Sequence, residues 1–476
     1  FLIADINLNF DNQGKVKDDF KITGLVKEGS INLLNKKKIN KIDFIFETEN
    51  KNININDLKF SYENINFTSK KIRLLNNNNF IKIEGEIKND EVNLSNEIIK
   101  NFLIPYGKID IQNLKFSSKN EFTLNINNKF KISDYEIKSL LNIKELSIQN
   151  NFNIKNIFPY LEPNIKIKNH ITEIVFKKDD FLINGKGNVL AQKNLDQISY
   201  KIHKIKDQHL FDLEYNFLKN PIVFDFLNYK IDKKLKTTLS MNGEYIKDKS
   251  INFKKIKFES ESDLLIFNNL KLNKNFKVSN IESAKFDFKD ENNKKNIFEI
   301  NKVKDDYLIS GKVFNASKLI DDLIFEDNKK NQIFDRDLSI SIDLEEVYLE
   351  NDYIVYDLKG VLNFKDNELI NANISSNFNE NQKVNFTIIN KDEQKVTTLF
   401  SDQAKPFVKK FDFIKGFDEG SLDFYSVKSD NISNSKLKIY DFKLKELPVL
   451  TKILTLASLQ GIADLLSGEG IRFSEF

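Results

Sequence analysis

Three histidines, His170, His203 and His209, are the chain's only imidazoles, and it has no cysteine. Metal or nucleophilic chemistry would have to be built from these and from carboxylates, hydroxyls and amines. His203 and His209 lie six residues apart in an alternating run, a spacing that would put both on one strand face. Neither has an acid at ligand-like spacing, so the histidines are expected at surface or turn positions. The "GKG" at Gly185–Gly187 is half of a dinucleotide fingerprint, but it sits in "LINGKGNVL", which reads as a strand with small residues and a bulge. Asp321–Asp322 and Glu345–Glu346 are adjacent pairs, which point different ways and read as solvated surface. Asn-x-Ser/Thr triplets, as at Asn66 and Asn431, arise readily in so Asn-rich a chain. There is no HExxH, no G-x-S-x-G and no Walker loop. The residues support no enzyme, so no catalytic residue, metal or cofactor is expected.

The chain has 476 residues, 73 basic and 70 acidic, for a net charge of +3. Charge is mixed throughout, without the concentrated basic stripe of a nucleic-acid binder. Without cysteine there are no disulfides or zinc thiolates, which is compatible with an oxidising compartment. No segment reads as a signal peptide or an uninterrupted spanning helix. The opening "FLIADINLNF" is already strand-like and lacks an initiator Met, and the end falls just after a strand begins. Both ends look cut, as in a fragment of a longer chain.

Period-2 alternation dominates. "NININDLKFSYENINF" sets Ile53, Ile55, Leu58, Phe60, Tyr62, Ile65 and Phe67 apart from Asn, Lys and Ser, with phase slips between Ile55 and Leu58 and again before Ile65. "FIKIEGEI" puts Ile81, Ile83, Gly85 and Ile87 on one face, and "EFTLNINNKFKI" does so with Phe122, Leu124 and Ile126. "INFKKIKFES", "AKFDFKD" and "LSISIDL" follow the same grammar. Turns are expected at "DNQG" near residue 13, "NNNN" at 76–79, "SSKN" at 117–120 and "KDEN" at 289–292. The template yields roughly 25 to 30 strands. Helices are few: 95–106 with Ser95 as N-cap and Pro105 as stop, 315–325 capped by Asn315, a turn or two at 404–411, and the longest from Pro448 to about Ser467.

A sheet with one apolar face must cover that face. So few helices cannot cover some 25 strands carrying 42 Phe. Stacked sandwiches, a barrel, or an open groove whose lining is filled by something else remain. An exposed apolar trough marks a binding site, and its natural ligand would be an acyl chain. Against an outer-membrane barrel stand the interrupting helices, the near-terminal hydrophobic helix and the absence of Trp.

The terminal "LPVLTKILTLASLQGIADLLSGEGIRF" carries one apolar stripe through Leu447, Leu450, Leu454, Ala457, Gly461 and Leu465. It closely resembles the C-terminal signature of the bacterial AsmA-like superfamily, in its YhdP-like branch. Pro448, Ser458, Leu459, Gly461, Leu466, Gly468, Gly470, Ile471 and Phe473 match that pattern. "EGSLDFYS", with Gly420 and Leu422, resembles the family's glycine-started strand, and "LISGKVFNASKLIDDL", with Gly311, its strand-to-helix unit. Two departures stand out: Asn315 replaces the usual Asp, and Lys405 replaces a Gly. The specific motifs cover about residues 305–476, while the first 300 match in style.

The resemblance implies a mainly β fold, a long curved antiparallel sheet forming an open, taco-like hydrophobic groove with a few short helices. It divides the chain into a repetitive β-groove region, 1–304, and an AsmA-like C-terminal region, 305–476, with a signature helix at 448–467. It implies a non-enzymatic, bridge-like lipid transfer segment in the periplasm, anchored in the inner membrane by a segment outside this chain. Phospholipid, the inner and outer membranes and envelope proteins are the partners it implies. Phe60, Ile83, Leu124, Ile126, Phe253, Phe286 and Phe288 are the expected groove floor. The rival readings are a structural β-solenoid and an outer-membrane β-barrel or assembly factor.

Overall fold

The computed structural model describes residues 1–17, 20–32, 38–49, 52–77, 79–96, 99, 110–150, 155, 157–231, 236–320, 337–350, 353–365, 368–391, 394–410, 415–429, 432–445 and 471–475. The fold is mainly β: a 27-stranded sheet and a two-stranded one, with few and short helices. Contacts divide the chain into two compact units, Phe1–Ile222 with Asp232–Lys247, and Val223–Ile231 with Asp248–Phe476.

In the first unit, successive strands pair antiparallel from Leu2–Asn7 through Asp196–Ile205, Gln208–Phe217 and Thr237–Ile246. The alternation survives its own interruptions because bulges reset it. Asp57 takes φ +51°, at the phase slip between Ile55 and Leu58. Glu63 and Asn64, at φ +47° and +64°, form the tight hairpin that precedes Ile65. The turn expected at 117–120 does not form, because strand Ile111–Asn127 runs straight through it. Its polar side chains are consumed across strands instead: Ser118 donates to Asn89 Oδ1 at 2.5 Å, and Asn120 donates to Ser118 and to the carbonyl of Ile87.

The second unit continues with antiparallel neighbours from Ser250–Glu259 to Ile471–Glu475, broken by one parallel pair among the described residues, Asp306–Asn315 with Leu338–Glu350. A parallel neighbour requires a crossover, and its helix starts where Asn315 Oδ1 accepts the backbone N–H of Ser317 at 3.1 Å. A second short helix, Lys405–Lys410, lays Val408 on a core of Ala404, Phe417, Leu422, Ile439 and Phe442. Lys405 is its first residue. The expected helix at 448–467 and most of 95–106 lie outside the described residues.

Candidate functional site

Residues directly opposite each other in an antiparallel pair share a face, so the registers trace which side chains form a surface. In the first unit one ladder runs Ile6, Ile22, Thr48, Ile53, Leu74, Ile83, Leu124, Tyr135, each paired with the next. The adjacent ladder runs Ala4, Gly24, Phe46, Ile55, Ile72, Gly85, Phe122, Ile137, Phe176, Phe181. Two residues separate these ladders along each strand, so together they make a broad apolar face. Most of its side chains are only half-buried, and Ile6 is 62% exposed.

The expected floor residues fall onto this pattern. Ile83 pairs with Leu124 and Ile126 with Ile81. Phe60 pairs with Phe67, and their rings stack at 5.1 Å. All six of these residues are half-buried, while Ile65, two residues before Phe67, joins Leu94 and Ile99 in a local core. In the second unit Phe253 pairs with Leu270 and is half-buried. Phe286 and Phe288, by contrast, are 3% and 0% exposed. Phe286 lies in the ladder Phe258, Leu265, Phe286, Phe298, Gly311, Leu344, every member of which except the glycine is buried.

Part of the cover over this second ladder comes from the chain itself. The segment 223–231 leaves the strand succession after Phe217, forms a two-residue hairpin closed by a 3-10 turn, and joins the second unit. Its Tyr229 ring meets Phe288 at 4.9 Å and Phe258 at 6.4 Å, edge-on. The Tyr229 hydroxyl donates to Asp263 Oδ2 at 3.0 Å, and burial, with the Asp263 charge, pushes its pKa up. Alternation does not reveal this segment; a cluster of aromatics without period, "VFDFLNY", was the available signal.

The histidines differ from expectation. His170 is 1% exposed: its ring lies over Gly185 and Gly187, where an added Cβ would come within 2.8 Å and 2.5 Å of it, and stacks on Tyr200 at 5.5 Å. Burial holds its pKa down. The glycines of "GKG" therefore make room for a side chain from the neighbouring strand, and the register shifts beside Gly187. His203 and His209 do not share a face. The turn at Lys206–Asp207 reverses the chain between them, so His203 pairs with Leu210 and His209 with Lys204. His203 lies 2.5 Å from Asp180, an acid supplied by the neighbouring strand. No metal-binding cluster occurs among the described residues.

Of the residues that carry the resemblance, Gly311, Gly420, Leu422, Ile471 and Phe473 are described, whereas Pro448, Ser458, Gly461, Gly468 and Gly470 lie outside the described residues. Gly420 and Phe473 converge on one aromatic stack. Phe442 stacks on Phe417 and Phe473, each at 5.3 Å, and Gly420 abuts it. Gly420 has φ +80°, and a Cβ there would meet Phe442 Cβ at 2.8 Å, so only glycine fits without strain. Its carbonyl accepts the N–H of Ala404 at 2.7 Å, tying the short helix to the bulge. Beside it Asp418 accepts hydrogen bonds from Lys405 at 2.7 Å and pairs with Lys445 at 2.6 Å, which together hold its carboxyl well below the usual range.

No helix among the described residues is long and apolar enough to cross a membrane. No known family model matches the chain. No curated protein matches it.

Proposed function

We propose that this chain is a segment of a bridge-like lipid transfer protein of the cell envelope, related to the YhdP-like branch of the AsmA-like superfamily. In this reading it acts in the periplasm, between inner and outer membrane, and carries phospholipid by its acyl chains. The observation that carries the reading is the half-buried apolar ladder from Ile6 to Tyr135, unbroken by charge across eight paired strands. Apolar surface of that extent is stable in water only when something apolar covers it. An acyl chain shares its lack of charge, and can slide along it because no rung carries a charge to hold one position. The sheet would then be the wall of a groove, and transfer would need no catalytic residue.

The test is the lipid content of the purified chain. Mass spectrometry of its organic extract is expected to return phospholipid, and Ile83→Asp with Leu124→Asp is expected to remove it from a protein that still folds. An extract without phospholipid would leave a purely structural β protein as the better account.

A further inference from the structure

The second unit carries a gradient of polarity that bears on lipid headgroups; its interpretation rests on the apolar face being a lipid path. Strands Gln382–Lys391, Gln394–Ser401, Phe417–Ser429 and Ile432–Leu444 pair in succession. On one face their register aligns Phe386, Leu399, Phe424 and Leu437 as a half-buried apolar rung, of which Leu399, Phe424 and Leu437 border the core of Ala404, Val408, Leu422 and Ile439. The next rung on that face is Ile388, Thr397, Ser426 and Ser435, and the next Asn390, Lys395, Lys428 and Ser433. Rungs are about 6.8 Å apart, two residues of strand rise. Polarity thus climbs from hydrocarbon through hydroxyl to ammonium over about 14 Å.

The upper rungs are organised rather than merely polar. Ser426 is 8% exposed, its Oγ lies 3.0 Å from Ser433 Oγ, and it accepts from Ser435 Oγ at 2.9 Å. Lys395 and Lys428 stand directly opposite each other, an arrangement that repels unless an anion joins it. Neither is in an ion pair among the described residues. Burial, then the Lys428 charge, hold the Lys395 ammonium below its usual range against the pull of Glu368.

We propose that Lys395 and Lys428, with the hydroxyls of Ser426, Ser433 and Ser435, form a subsite for the phosphate of a phospholipid whose acyl chains lie toward the Phe386–Leu399–Phe424–Leu437 rung. A phospholipid presents the same order of chemistry as the rungs: phosphate, ester oxygens, hydrocarbon. Two ammonium groups suit a singly charged phosphodiester, and the hydroxyls can donate to its oxygens or to the esters.

Native mass spectrometry of the full chain tests this, titrating a short-chain phosphatidylglycerol, a diacylglycerol of the same chain length, and glycerol phosphate. The wild type is expected to bind the phosphatidylglycerol about tenfold or more tightly than the diacylglycerol, as charge-assisted hydrogen bonds would give. K395Q/K428Q should abolish that preference while diacylglycerol binding persists, and K395R/K428R should retain it. Equal affinity of the wild type for the two lipids, or an unchanged preference in K395Q/K428Q, overturns the subsite and leaves the lipid path standing. Glycerol phosphate binding as tightly as the phospholipid would make this a site for free phosphate esters and overturn the lipid assignment. Binding of neither lipid by the wild type would remove the path itself, and the subsite with it.

Discussion

The ladder from Phe258 to Leu344 is built mostly of Phe and Leu and the ladder from Ile6 to Tyr135 mostly of Ile and Leu, both on strands of period 2. The first is dry: Phe258, Leu265, Phe286, Phe298 and Leu344 are between 2% and 7% exposed. The second is half-open at nearly every rung. They differ not only in their side chains but in what the chain places outside the strands. Around the first ladder it supplies Tyr229 from an excursion, and further along the unit it supplies Val408 from a short helix. A sheet face therefore becomes a core or remains a surface according to a few non-strand residues, and strand pattern alone does not decide which.

The largest effects should come from the dry side. Phe288→Ala removes a fully buried ring that packs on Tyr229, and should destabilise the second unit by about 3–5 kcal/mol. Val408→Asp puts an unpaired charge at a position with no exposure, and should unfold that region outright, since such burial costs several kcal/mol. Urea unfolding measures both. If Phe288→Ala, two residues along the strand from the ladder's Phe286, were no more harmful than Ile83→Ala, the two sheet faces would not differ as their burial says.

Next in size is Gly420→Ala. An alanine there must hold φ near +80° and push against Phe442, for a loss of about 1–3 kcal/mol. The melting temperature should fall, and the Phe417–Phe442–Phe473 stack should loosen first, visible as faster amide exchange in strand Ile432–Leu444. An unchanged melting temperature would mean that the bulge at Glu419–Gly420 can relax.

Smaller again is Asp418→Asn, expected to cost about 1 kcal/mol near neutral pH because two lysine partners are partly solvated. The folded pKa is depressed, so the carboxylate's contribution is complete above its unfolded value of about 4 and is lost as pH falls through the folded one. The stability gap between wild type and Asp418→Asn should thus be widest near pH 7 and close in strong acid. A gap that stays constant into acid would assign the effect to packing and not to charge.

Much of this was legible beforehand, and the failures have physical reasons. The slip between Ile55 and Leu58 showed that a residue had to leave the alternation, and Asp57 does so in the left-handed region. "SSKN" looked like a turn because Ser and Asn favour turns, yet the same side chains can satisfy one another across strands, as Ser118 and Asn89 do. His170 looked like a surface residue because nothing local marks it as buried; the room for it comes from Gly185 and Gly187, on another strand. The parallel pair at Asp306–Asn315 was hidden because a crossover is a long-range event. Individual floor positions could be placed on a face by period, whereas whether that face was covered, as at Phe288 but not Ile83, depended on residues far away in sequence.

The smallest expected loss of stability discriminates most. Ile83 pairs with Leu124 on the half-open ladder, and a half-buried cross-strand pair of this kind contributes roughly 0.2–1 kcal/mol. Ile83→Asp can keep its carboxylate in water, so the chain should melt within a few degrees of wild type while phospholipid retention drops sharply. Leu124→Asp should behave alike, and the double variant should melt lower than either, because its two carboxylates stand directly opposite each other. If Ile83→Asp instead melts the first unit as Val408→Asp melts the second, the ladder is a core whose cover has been missed, and a packed structural protein replaces the conduit. If it neither melts the protein nor sheds lipid, the acyl chains lie elsewhere, and the openness of this face has some other use.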